Sequence, residues 1–401
     1  MPRRFYRIGT ECPPVRFSVL TAPILATPAR PAPAAHPADA ASPSVSVVIP
    51  TLGLTGDLLA CCDALLPQLH PGDECVVVVD GASGPPSPAL AEGGVRVLTS
   101  ERRRGPAHAR NRGAEAATGN VLLFIDADCV AAPDAVARVR AAFAADPSLN
   151  VLVGSYDDAP GDRAFLSQYR NLLHHYTHQT AGETLSTFWG ACGAIRPAAF
   201  AAVGGFDEGY DRPCIEDVEL GYRLEAAGYE IRLDKRLQVK HLKAWTPLGM
   251  LKTDLLRRAV PWTELLLRRG TIEDNLNVSV AGRASTALIG GVLVAGIAAV
   301  LAPTPPLLAG ALLAGALLAA AFLALNLPFY RFLRTVRGRH FAVRAAPWHA
   351  LYFLYSGLGF VLGSLRYGSR AVREALPALA SPEPPPTPCP ASSSPEPGRP
   401  G

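Results

Sequence analysis

This sequence is short of charge. Asp, Glu, Lys and Arg make up 18% of its 401 residues, against 49% hydrophobic. That balance is unusual for a chain wholly in water and ordinary for one with membrane spans. The charge present nearly cancels, 38 basic side chains against 34 acidic, which excludes a nucleic-acid binder working through a phosphate footprint. The eight cysteines (Cys12, Cys61, Cys62, Cys75, Cys129, Cys192, Cys214 and Cys389) form no C-x-x-C. A zinc ribbon and a thioredoxin-like centre are therefore excluded, and the thiols read as reduced groups of a cytosol-facing protein. No G-x-G-x-x-G follows the first apolar run, which leads instead into PTLGLTGD, so a dinucleotide cofactor is argued against.

Proline is unevenly spread. Residues 1–43 hold nine prolines, and ten fall in the 25 positions from Pro377 onward. Both ends (1–43 and 367–401) read as disordered tails. Arg3, Arg4, Arg7 and Arg16 with FSVLTAPILA loosely resemble a secretory leader, but prolines interrupt the short apolar run, and it is expected to be retained.

Between the tails the texture changes. VSVVIP (Val45–Pro50), CVVVVD ending at Asp80, VRVLT from Val95, VLLFIDADC and VLVGS (Val151–Ser155) are short β-branched or apolar runs. Helical patterns such as DLLACCDALLPQL separate them. Strands alternating with helices predict a doubly wound α/β sheet, whose ligand sits beyond the strands' carboxyl ends. Residues 284–330, 47 positions, carry no charge. A span takes about 20 residues, so the run fits two helices joined at PTPP (Pro303–Pro306). A third uncharged stretch, Ala345–Leu365, either spans or lies in the interface, with Trp348 and Tyr352 as anchors. Arg331, Arg334, Arg337, Arg339 and Arg344 lie in the loop between the second and third stretches, which places that loop and the α/β domain in the cytosol. Leu248–Gly270 mixes leucines, arginines and Trp262. It reads as a basic amphipathic helix pair at the membrane surface or as ordinary packing with solvated arginines. The expected organisation is a catalytic domain over 44–247, an interfacial segment over 248–283 and a membrane region over 284–366.

Asp126 and Asp128 form D-x-D after the fourth run. If the strand continues through them, both carboxylates face one space, and hard oxygen ligands there suit Mg²⁺ or Mn²⁺ bridging to phosphates. Asp80 reads as a ribose- or base-binding carboxylate or as a turn or cap residue. Arg102, Arg103, Arg104, Arg110 and Arg112 are phosphate forks or a solvated run, with Arg110 and Asn111 nearer the pocket. Glu216 and Asp217 open a helical pattern, as caps or as a general base. His174 and His178 share a helix face, where packing or acceptor contact outweighs a metal site. His241 is a lone histidine after a strand-like run.

The ordered set SVVIPT, VVVVDGAS, GPAHARNRGAEAATGNVLLFIDADC, WGACGAIRPAAFAAVGGFDE and EDVELGYRLEAAGYEIRL, over residues 45–233, resembles the family-2 glycosyltransferases, inverting enzymes of the GT-A fold. The resemblance implies a GT-A-type mixed sheet with transmembrane helices appended. It implies a donor site, for a UDP- or GDP-sugar, from Pro50, Thr51, Asp80, Arg110, Asn111 and Asp126. It also implies a metal on Asp126, Asp128 and His241, an acceptor wall from Trp189, Gly190 and Asp207, and Asp217 as base beside Glu216. The expected acceptor is a lipid-linked or cell-surface glycan precursor, and the expected place is the inner membrane, multi-pass, with the catalytic domain cytosolic. Two departures matter. Gly81 follows Asp80 where relatives carry a second acidic or amide residue. The Q-x-x-R-W of processive synthases is met only by Arg258-Ala259-Val260-Pro261-Trp262, so one-sugar transfer is expected. A sugar nucleotidyltransferase or an inactive membrane scaffold is the alternative; the first would need a Gly-rich triphosphate loop after strand one, the second a lost D-x-D or base.

Overall fold

The computed structural model describes residues 42–81, 93–271 and 276–380; both proline-rich ends, apart from residues 42, 43 and 367–380, and the arginine-led N-terminal stretch lie outside them. Nine strands form one sheet: β1 Val45–Thr51, β2 Glu74–Asp80, β3 Arg96–Ser100, β4 Val121–Ile125, β5 Cys129–Ala131, β6 Val151–Tyr156, β7 Thr184–Leu185, β8 Cys192–Ile195 and β9 Ile231–His241. The order is β3-β2-β1-β4-β8-β6-β9-β5, with β7 paired to β9. β3, β2, β1 and β4 run parallel. β8 is antiparallel to both β4 and β6, which makes the doubly wound sheet mixed, as expected.

The parallel strands are near-continuous valine, leucine and isoleucine because both faces are covered. Helices α1 (Gly56–Leu65) and α3 (Ala135–Ala145) cover one face, with Leu58, Cys61, Cys62, Val136 and Val139 in its core. On the other, α2 (Pro106–Ala116), α5 (Pro197–Ala202) and α6 (Glu216–Ala226) pack Ala107, Phe200, Leu220 and Leu224 onto Phe124 and Val153. Cys61, Cys62, Cys75, Cys129, Cys192 and Cys214 are free thiols.

The amphipathic segment is one unbroken helical run rather than a pair. α7 (Pro247–Lys252) passes through a π-helical turn (Thr253–Ala259) into α8 (Val260–Arg269). The Val260 N–H bonds the Leu255 carbonyl, five residues back, so Pro261, which lacks an N–H, falls where the ladder changes step. Helices α9 (Val280–Val300) and α10 (Pro305–Leu325) are the two described helices long and apolar enough to cross a membrane. The expected arginine loop is in fact a helix, α11 (Leu327–Arg337). Phe329 and Leu333, one turn apart, bury on a single face. The third apolar stretch lies inside α12 (Arg339–Ala380), which continues through residues 367–380, positions that composition placed in the tail. Helix α4 (Phe165–Thr180) joins the domain to these helices, packing Tyr169, Leu172 and Leu173 against Phe329, Leu333, Ala342 and Ala345.

Candidate active site

The site lies beyond the carboxyl ends of β1, β2 and β4. β4 stops at Ile125, and the next residues are a turn closed by the Cys129 N–H to the Asp126 carbonyl at 2.9 Å. The D-x-D is therefore turn, not strand, and its two carboxylates take different partners. Asp126 accepts from Arg110 Nη2 at 2.7 Å, whereas Asp128 faces His241 Nε2 at 3.5 Å. The turn throws the chain back into β5, whose Cys129 sits directly opposite His241 in the β5–β9 ladder. Side-chain ligand atoms of Asp128, Cys129 and His241 consequently lie within 4.8 Å of one another. His241 is fixed by stacking on Tyr156, centroids 4.5 Å apart at 16°.

Burial raises the proton affinity of Asp128, but the hydrogen bond and charge of His241 outweigh it, so the carboxylate is held below its ordinary range. An ionised carboxylate in a tight turn beside an imidazole on β9, an oxygen and a nitrogen donor together, fits a divalent cation. Asp126 stands outside that trio.

Arg110 is 4% exposed, donates Nη1 to Glu216 Oε1 at 3.0 Å, and lies over the Phe206 ring at 5.2 Å. It spans two carboxylates and is closed in by Gly190: a Cβ there would come within 2.9 Å of the Arg110 guanidinium carbon, so a larger residue would displace the fork. The Gly190 N–H in turn donates to Asp217 Oδ2 at 3.1 Å.

The neighbours Glu216 and Asp217 thus differ in role. Glu216 is buried, paired with Arg110, and accepts the Cys214 N–H at 2.8 Å. Among the described residues, Asp217 receives only the backbone N–H groups of Gly190 and, at 2.9 Å, of Val218. Burial first, then the charge of Glu216, lifts its pKa to about 6, against the pull of Arg110. A carboxyl tuned toward neutrality is what a general base requires.

Other expected residues are placed differently. Asp80 is 3% exposed and accepts the backbone N–H of Arg104 (3.0 and 3.1 Å) and of Gly105 (2.7 Å). It ties the end of β2 to the start of α2. Thr51 hydrogen-bonds the Gly53 carbonyl at 2.8 Å; Pro50 lies beside it at the end of β1. Asn111 clasps the Phe206 backbone through both amide atoms at 2.8 Å. Trp189 stands edge-on to Tyr156 (4.6 Å) and His178 (4.8 Å), and burial lowers His178 to about 4. Asp207 is exposed and closes a turn on the Gly209 N–H.

Sequence reasoning chose Asp207 and missed Glu208, which lies 2.8 Å from Arg104 Nη2, 2.9 Å from His108 Nδ1 and 3.1 Å from Asn111 Nδ2. One neighbouring position separates a turn aspartate from the residue that locks the GGFDE loop onto α2. It also passed over Arg258 as a site residue, whose Nη1 lies 3.2 Å from His174 Nε2.

Residues 46–204 match the family model described as glycosyl transferase family 2. The chain is 36% identical over 108 residues to the PGL/p-HBAD biosynthesis glycosyltransferase of Mycobacterium tuberculosis (strain ATCC 25177 / H37Ra), covering 25% of this chain and 42% of that protein; it therefore spans less than half the length of such relatives. To the succinoglycan biosynthesis protein ExoA of Rhizobium meliloti it is 29% identical over 248 residues, 56% of this chain and 74% of that one. A solved mannosyltransferase from Pyrobaculum calidifontis, in complex with GDP-Man and Mn²⁺, superposes on 82% of this chain and 87% of its own at 19% identity, with a TM-score of 0.43.

Proposed function

We propose that this chain, a glycosyl transferase of family 2 through its residues 46–204, moves a single sugar from a nucleotide-sugar donor, UDP- or GDP-linked, to the hydroxyl of a lipid-linked or glycan-precursor acceptor at a membrane. The observation that carries the reading is Asp217: raised to about 6 by burial and by Glu216, it is bonded among the described residues only to backbone N–H groups, while Glu216 and Asp126 are tied up by Arg110. Asp217 accepts the proton of the acceptor hydroxyl as its oxygen bonds the anomeric carbon. The bond from that carbon to the diphosphate oxygen breaks, and its electron pair leaves with the nucleoside diphosphate. One displacement of this kind inverts the configuration.

Asp128 and His241 are the residues that would hold a divalent ion, Mg²⁺ or Mn²⁺; when bound it supplies positive charge for the diphosphate. Arg110 orients Asp126 and Glu216 and offsets part of their negative charge. Trp189 and Gly190 form the acceptor side next to the base.

The helices support the membrane part. Catalytic domain (44–247), interfacial segment (248–283) and membrane region (284–366) follow one another. α11, with Arg331, Arg334 and Arg337, packs on α4 of the domain. Arginine-rich ends favour the cytosolic face, which supports a cytosolic domain on a multi-pass inner-membrane protein.

The test is a sugar-nucleotide panel scored by nucleoside diphosphate release, with membrane lipid extract added or omitted. Release with one donor, stimulated by lipid and lost in Asp217→Asn, is expected. Full turnover in Asp217→Asn, or no affinity for any donor, would remove the reading.

A further inference from the structure

α12 (Arg339–Ala380) is long enough to reach across a bilayer, yet one side of it is tied to the α/β domain from end to end. At its start the Phe341 ring lies 4.9 Å from that of Phe165, the first residue of α4, and the Arg344 guanidinium lies 4.4 Å over the same ring. Midway, the Tyr355 hydroxyl donates to Asp254 at 2.8 Å, and Asp254 pairs with Arg170 of α4 at 2.6 Å. Gly359 and Gly363 then let the backbone close on the π-turn and α8: a Cβ on Gly363 would come within 2.7 Å of the Val260 carbonyl. Further on, Arg366 and Arg370 both pair with Glu264 of α8 at 2.9 Å. α8 is itself fastened to α6 of the domain, Trp262 Nε1 donating to the Tyr222 hydroxyl at 2.9 Å and Arg269 pairing with Glu225 at 3.0 Å. From Phe341 to Arg370 is about 44 Å of helix, more than the roughly 30 Å of a bilayer's hydrocarbon core. A helix that crosses puts its ends on opposite sides. This one has both ends bonded to elements of a single domain.

The opposite side of α12 is apolar and exposed. Val343, Leu351, Leu358, Val361, Leu362 and Leu365 are 39–73% exposed, and at the helical period they fall within one arc of about 100°. Ala342, Ala345, His349, Gly359 and Gly363, on the far side of the helix, are buried. The α9–α10 hairpin sets the level of this stripe. The Asn326 amide, just past α10, donates to Ser285 Oγ near the start of α9 at 2.9 Å, so the open end of the hairpin is closed there. α12 meets that same end: a Cβ on Gly357 would come within 2.8 Å of Thr286 Cγ2. The middle of α12 is therefore level with the open end of the hairpin, which α11 joins to α4 of the domain, and not with its far turn at Pro303–Pro306.

Resting on the membrane part of the reading above, we propose that α12 is not a third span but lies in the plane of the membrane beneath the domain, its apolar stripe seated in the acyl chains of the leaflet on the domain's side. Arg339 and Arg344 at one end and Arg366 and Arg370 at the other then stand at headgroup level, as cationic side chains flanking an apolar face do. The chain crosses twice, through α9 and α10, and leaves α12 on the side from which it entered. Bonded to both α4 and α8, such a helix also fixes the height and tilt of the catalytic cleft above the lipid surface, which a span joined to the domain by a loop does not.

The test places one cysteine at a time at exposed positions of the full-length protein: Ala144→Cys in the domain, Pro303→Cys in the hairpin turn, His340→Cys and Gly368→Cys towards the two ends of the stripe. Membrane vesicles of known sidedness are treated with an impermeant maleimide, and labelling is read peptide by peptide by mass spectrometry. Ala144→Cys, His340→Cys and Gly368→Cys should label from one face and Pro303→Cys from the other. A second measurement uses nitroxides at Val343, Leu351, Leu358 and Leu365, one at a time, in nanodiscs of phosphatidylcholine and phosphatidylglycerol, with depth read from collisions with oxygen and a nickel chelate. All four should lie within about 5 Å of one another, roughly 5–10 Å below the headgroup boundary; a crossing helix would carry Leu351 and Leu358 about 10 Å deeper than Val343 and Leu365. Gly368→Cys labelled from the Pro303 face, or that difference in depth, overturns the proposal and leaves the spanning hairpin standing. Spin–spin broadening at Leu358 would assign the stripe to a second copy of the chain and overturns it as well. Pro303→Cys labelled from the Ala144 face would remove the membrane reading itself, and the proposal with it.

Discussion

Leu152, on β6, is 1% exposed; Leu313, on α10, is 61% exposed. The same side chain meets two fates in one chain, and each is typical of its region. In the α/β domain, apolar strands are covered by helices on both faces, and buried arginines are paired, Arg110 with Asp126 and Glu216, Arg140 with Asp73. In the α9–α10 hairpin, Leu293, Val294, Ile297, Val300, Leu307, Leu312 and Leu317 stand 50–86% exposed, with no charged side chain in residues 284–330. The domain solves its solvent problem internally. The hairpin does not, and exposed apolar surface on this scale supports the proposal that it faces lipid.

The sharpest way to break that comparison is to find chemistry outside the domain. Asp217→Asn should lower sugar transfer by about 10³-fold with donor binding retained, whereas Leu313→Ala should leave transfer unchanged; a nucleoside-diphosphate release assay reads both. Next, Asp128→Asn should weaken Mn²⁺ binding about tenfold or more, by analogy with losses on disturbing metal shells; titration calorimetry measures this without reference to activity, and undiminished binding would place the ion elsewhere. In packing, Leu152→Ala should cost about 2–5 kcal/mol in denaturant unfolding, and Leu313→Ala no more than about 0.5 kcal/mol. Equal costs would mean that α10 is a core helix. The smallest effect is in pH. A base must be unprotonated to act, so transfer should rise with pH through a midpoint near 6, set by Asp217, and fade below it. Sedimentation with vesicles should show no such dependence, since the hairpin carries no group that changes charge in that range.

Much of this was legible in the residues. The parallel strands announce themselves as unbroken valine and isoleucine because both faces are buried, and the hairpin as a run without charge. β8 did not, because CGAI is short and begins with a cysteine and a glycine; its place between β4 and β6 depends on neighbours far away in sequence. Asp217 was expected as the base beside Glu216, but only the approach of Arg110 explains why the two are not equivalent. Asp80 shows the limit most plainly. A carboxylate at a strand end has the same sequence signature whether it waits for a ligand or caps a helix, and here the N–H groups of Arg104 and Gly105 occupy it. The arginine loop expected between the apolar stretches is a helix, its period of Phe329 and Leu333 masked by the charges around it.

The π-helical turn has a consequence for how this chain tolerates change. A helix advances about 100° per residue, and residues 253–259 hold one residue more than ordinary winding accommodates. Removing a single residue there would restore regular winding and leave the side chains beyond it, Trp262 and Glu264 among them, facing as they do now. The same deletion inside α8, which has no residue to spare, would swing everything after it by about 100°. A one-residue deletion in the turn should therefore do less damage than one in the helix that follows.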